Sequence, residues 1–106
     1  MSLRRAKSAD EYIEWVKQAV FEMDDLRACF EYATDDDTAR LPAFLDPLEQ
    51  GIKDMFESMK QGEYRFGRED LPFMDIVHRY GDQIPFNTLL KQINETHRKG
   101  IETDTD

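Results

Sequence analysis

Apolar residues follow helical spacing through the first third of the chain. Ile13, Val16, Val20, Met23, Cys29 and Phe30 share a face, and Tyr12, Ala19 and Leu26 widen the stripe. No glycine or proline interrupts residues 8–33. Ser8, Ala9, Asp10 and Glu11 fit a capping box, with Ser8 as N-cap and Glu11 reaching back. The pattern predicts a helix of about seven turns over residues 8–33. A stripe this wide predicts packing against more than one neighbour.

The chain is polar from Thr34 to Arg40 and apolar again from Leu41. Leu41, Phe44, Leu45, Leu48, Ile52, Met55, Phe56 and Met59 recur at steps of three and four, a second helical signature. Pro47 interrupts it, because proline suits a first turn and otherwise kinks a helix. The expectation is a fresh start at Asp46, or a short turn from Pro42 that bends at Pro47. Gly51 costs this helix about 1 kcal/mol relative to alanine. Close approach of the first helix at Gly51 would offset that cost.

Residues 62–67 alternate aromatic with charged side chains between two glycines: Gly62, Glu63, Tyr64, Arg65, Phe66, Gly67. The alternation predicts a short extended segment, too short for an independent sheet. Two shorter helices follow. Each is announced by an apolar residue and Pro-Phe (Leu71, Pro72, Phe73 and Ile84, Pro85, Phe86). Each closes on His-Arg-x-Gly (His78 to Gly81 and His97 to Gly100). Proline in the first turn and glycine just past the end punctuate helices in this way. Met74 and Val77 line the first of these helices, and Leu89, Leu90 and Ile93 the second.

These segments predict an all-α protein, a small antiparallel helical bundle of about four helices, two long and two shorter, with a kink at Pro47 as one option. Residues 1–7 read as a flexible leader, 8–100 as one helical domain and 101–106 as a disordered acidic tail.

Composition narrows the function more than it names one. The net charge is −9, from 14 basic and 23 acidic residues. Such a surface disfavours nucleic acid and anionic membranes and suits a basic protein partner. No apolar run reaches the roughly 20 residues needed to span a bilayer. One cysteine, Cys29, excludes an internal disulfide, and we read the chain as cytoplasmic. Cys29 on the apolar face reads as a small buried hydrophobe.

The histidines are the natural place to look for chemistry. Asp75 with His78, and Asn94 with His97, each place two ligand types on one helix face. The partner glutamates of a di-iron bundle are missing, so the histidines read as cations favouring helix C-termini, and no metal or cofactor is expected. Asp35, Asp36 and Asp37 lack the glycine and closing glutamate of a calcium loop. No nucleophile elbow or phosphate loop is present, so no enzyme is expected.

Two function classes remain. The first is a non-catalytic protein-interaction or regulatory module presenting Tyr64, Arg65 and Phe66, or an apolar helix face in a homodimer. The second is a helix-turn-helix DNA binder using residues 72–99, with Gly81, Asp82, Gln83 and Ile84 as the turn and Asn87, Thr88, Lys91 and Gln92 facing a groove.

Overall fold

The computed structural model describes residues 5–33 and 42–101. The polar loop at 34–40 with its three aspartates, Leu41, and the tail beyond Ile101 lie outside them. Four α-helices form the described fold: α1 (Ala9–Ala33), α2 (Leu45–Lys60), α3 (Met74–Tyr80) and α4 (Asn87–Lys99), with a 3-10 turn at Gly81–Gln83. No strand occurs among the described residues, and the molecule is a small helical bundle.

The capping box at α1 is present in a variant form. The Glu11 amide donates to Ser8 Oγ at 3.1 Å, and the Glu11 carboxylate accepts the amide of Lys7, not of Ser8, at 3.0 Å. The core face of α1 is Tyr12, Val16, Ala19, Met23 and Leu26, all buried at steps of four and three. Residues expected only to widen the stripe are therefore its centre. Ile13, Val20 and Phe30 are half-buried at its edge, and Cys29 is exposed, contrary to its reading as a buried hydrophobe.

The start of α2 also differs from expectation. Phe44 is its N-cap, and Pro47 falls inside the first turn. There the missing proline N–H leaves no helical bond unmade, so no kink is needed. Leu45, Leu48, Ile52 and Met55 are buried against α1. The pairing is antiparallel: Arg27 bonds Asp46 and Glu49 at 2.6 Å each, and Asp24 lies 3.3 Å from Lys53. The Glu49 carboxyl is held below its ordinary range chiefly by the hydrogen bond from Arg27.

Pro72 and Pro85 stand just ahead of α3 and α4, not within their first turns. Phe73 and Phe86 are the N-caps, and Leu71, Phe73, Ile84 and Phe86 are all buried. The Pro-Phe pairs therefore anchor the entry of each helix in the core. Gly81 has φ −52° and continues into the 3-10 turn, whereas Gly100 has φ +85° and ends α4 at a positive φ that glycine adopts without strain. Asn87 Nδ2 donates to the carbonyls of Gly81 and Ile84, which fixes the turn between α3 and α4.

The packed structure extends to both ends of the described residues. Ala6 is fully buried, and its amide donates to Thr96 Oγ1, which donates to the Gln92 carbonyl. Ile101 is partly buried against the core. No helix among the described residues is long and apolar enough to cross a membrane.

Gly51 faces Phe73 rather than the first helix. A Cβ there would sit 3.0 Å from Phe73 Cδ2 and 3.2 Å from Phe73 Cβ. The second of these atoms cannot swing aside without moving the entry to α3. Gly51→Ala gains about 1 kcal/mol of helix propensity, against about 1–3 kcal/mol of overpacking. We expect a net loss of about 1 kcal/mol on that balance, measured by urea denaturation. A more stable variant would show that Phe73 yields freely.

Candidate functional site

Residues 61–70 contain no regular secondary structure, and the alternation of residues 62–67 does not produce a strand. It produces a two-sided loop. Tyr64 turns inward and is half-buried, while Arg65 and Phe66 are exposed, Phe66 at 47%. The loop starts from Gly62, whose φ of +73° suits glycine. The amides of Glu63 and Tyr64 then donate to the Ser58 carbonyl, closing the end of α2.

Tyr64 enters a chain of hydroxyl contacts between three elements. Its oxygen lies 2.8 Å from Tyr12 Oη on α1 and 2.6 Å from His97 Nδ1 on α4. Tyr12 Oη is also 3.1 Å from the Ile93 carbonyl. Counting protons assigns the direction. A carbonyl only accepts, so Tyr12 donates to Ile93 and must accept from Tyr64. Tyr64 has then spent its proton, so His97 Nδ1–H donates to Tyr64. All three contacts are satisfied with a neutral ring that keeps its proton on Nδ1.

Aromatic stacking reinforces this chain. Phe66 lies parallel to Tyr12 at 5.6 Å and edge-on to Tyr64 at 5.3 Å. Gly67 then passes the His97 ring so closely that a Cβ would stand 2.9 Å from Nε2, and its amide donates to the His97 carbonyl. Burial pushes the Tyr64 hydroxyl up to about 12, raises the Tyr12 hydroxyl further, and lowers the His97 imidazole.

The expected role of His97 is thereby corrected. It lies in the last turn of α4, but its ring binds a tyrosine. The last carbonyls are met instead by Arg5, which donates to Lys99 and Gly100, and by the Gly67 amide. His78 is exposed at the end of α3. Asn94 does not pair with His97: its Oδ1 accepts the Leu71 amide and its Nδ2 donates to Asp70. The described residues hold no cluster of three histidine, cysteine or acidic side chains arranged for a metal ion. Of the groove-facing set on α4, Thr88 and Lys91 are exposed, Gln92 is half-buried and Asn87 is engaged at the turn.

Two shallow apolar hollows flank the loop, and Tyr64 lines both. One, of about 250 Å³, lies between α2 and the entry to α3, with Met55, Leu71, Pro72 and Phe73 in its wall and Asp54 at its rim. The other, of about 230 Å³, lies between α1 and the end of α2, with Tyr12, Ile13, Met59 and Phe66 in its wall. Neither lining contains a nucleophile paired with a base. No family model, curated protein or solved structure matches this chain.

The two shifts set opposite pH limits. His97, with its folded value below the ordinary 6.5, contributes stability that is present above that value and lost as pH falls through the lowered one. Tyr64, raised from 10.0 to about 12, contributes stability that is present below pH 10 and lost as pH rises through 12. Denaturation midpoints measured across pH should fall at both ends. His97→Gln should flatten the acid limb and Tyr64→Phe should reduce the alkaline one. Unchanged limbs in both variants would refute the assignment.

Proposed function

We propose that this protein is a non-catalytic protein-interaction module that docks a partner on the loop at 61–67. The observation that carries this reading is the pair of apolar hollows divided by Tyr64, with Phe66 half-exposed beside them. Each has room for one or two side chains of a partner. The ridge between them is rigid, since Tyr64 is held by Tyr12 and His97, so little ordering entropy opposes docking. Phe66 and Arg65 belong to residue types that are enriched in interfaces. A partner with two apolar anchors and flanking lysines or arginines fits Asp54 at the rim and the net charge of −9.

A second partner class, another copy of this chain, draws support from the outer side of α1. Phe21 is 54% and Tyr32 89% exposed there, and Cys29 is exposed as well. Asp25, exposed between them, would meet its own copy in a two-fold pairing and oppose it. Light scattering at high concentration should therefore give the monomer mass of 12.5 kDa, and a dimer lost in Phe21→Ala would restore self-association as the leading reading.

Panning a displayed random-peptide library against the protein tests docking on the loop. Selected peptides should carry paired aromatic or aliphatic residues beside basic ones. Phe66→Ala should weaken them by about thirtyfold, the 2 kcal/mol of an interface hot spot, while the lost stacking on Tyr12 and Tyr64 lowers stability by about 1 kcal/mol and leaves the protein folded. Peptides that bind Phe66→Ala equally well would remove the loop from the interface.

A further inference from the structure

A cationic hollow shares no residue with the docking loop. It is about 330 Å³, is walled by α3, the 3-10 turn and α4, and presents His78, Arg79 and Lys91 beside Asp82 and Asn87. Arg79 and Lys91 make no ion pair among the described residues. Lys7, Lys17, Arg65 and Arg68 likewise make no ion pair among the described residues, but none of them lines this hollow. Arg79, Lys91 and the His78 imidazole line one concave polar surface.

We infer that this hollow is a binding site for a small phosphate monoester. Arg79 offers a planar set of donors, Lys91 a compact charge, and His78 a ring N–H in either protonation state. Carboxylates bound the site and limit the length of its ligand. Asp82 belongs to the lining itself, and an adjoining hollow that shares His78 and Lys91 contains Asp70 and Glu95. An extended polyanion would run over these acids, whereas a compact one can be held at Arg79 and Lys91. The turn geometry points the same way. Asn87, which a DNA groove reader would need free, spends its amide on the carbonyls of Gly81 and Ile84.

Titration of the labelled protein with phenyl phosphate, followed by amide NMR at constant ionic strength, tests the site. Shifts should saturate with a Kd on the order of 1 mM. They should be confined to the end of α3, the 3-10 turn and the first turns of α4. Arg79→Gln and Lys91→Gln, both at exposed positions, should each weaken binding about tenfold, the loss of one charge-assisted bond. Phe66→Ala should bind phenyl phosphate as the unaltered protein does, which keeps this site independent of the docking loop. Non-saturating shifts, or equal binding by both glutamine variants, would overturn the inference. So would a duplex DNA that displaces phenyl phosphate from the site, because the ligand would then be a nucleic acid.

Discussion

The buried hydroxyl of Tyr12 is the constraint around which this bundle is arranged. It lies on the core face of the longest helix, where an unpaired hydroxyl would cost on the order of 1–3 kcal/mol. Its partners come from far along the chain: the Ile93 carbonyl on α4 and the Tyr64 hydroxyl on the loop. Satisfying Tyr64 in turn calls on His97. One polar group in the core thus recruits a loop without secondary structure and the end of the last helix, and holds both against α1. The stacking of Phe66 and the close pass of Gly67 complete a joint that helix packing alone would leave open.

This joint also separates the surface by chemistry. Tyr64 is drawn inward, Phe66 stacks beside it on Tyr12 with part of its ring exposed, Arg65 is turned out, and apolar hollows are left on either side of Tyr64. A polar surface lies elsewhere. On the α3 and α4 side the short turn, tied by Asn87, brings His78 and Arg79 of one helix near Lys91 of the next. The two surfaces do not share a residue, so the two proposed interactions can be tested separately.

Much of the fold was legible because helix periodicity is a local property. The apolar steps of α2, the capping residues Ser8 and Glu11, and the Pro-Phe entries of α3 and α4 carry their meaning within a few positions. The errors arose where two stripes competed. In α1 both the run through Ile13, Val20 and Cys29 and the run through Tyr12, Ala19 and Leu26 satisfy helical spacing, and only the partners α2 and α4 decide between them. The site was legible in part. The glycine-bracketed aromatics marked the loop, but the role of His97 depends on Tyr64 and Tyr12, which lie 33 and 85 positions before it. Thr96 was missed and Asn94 was read only as a ligand type beside His97, although a signal was present: Asn94 lies four residues beyond the apolar Leu90 and Thr96 three beyond Ile93, where a polar side chain must find buried partners.

The central claim is that Tyr12 and Tyr64 act as one unit. A double-mutant cycle with Tyr12→Phe and Tyr64→Phe, read as unfolding free energy at neutral pH, addresses it directly. Each change removes only a hydroxyl and leaves the stacking rings in place. The two losses should be non-additive, with a coupling of about 1 kcal/mol, as expected when two partners of one buried hydrogen bond are removed in turn. Losses that add to within about 0.3 kcal/mol would contradict it, since independent sites behave in that way.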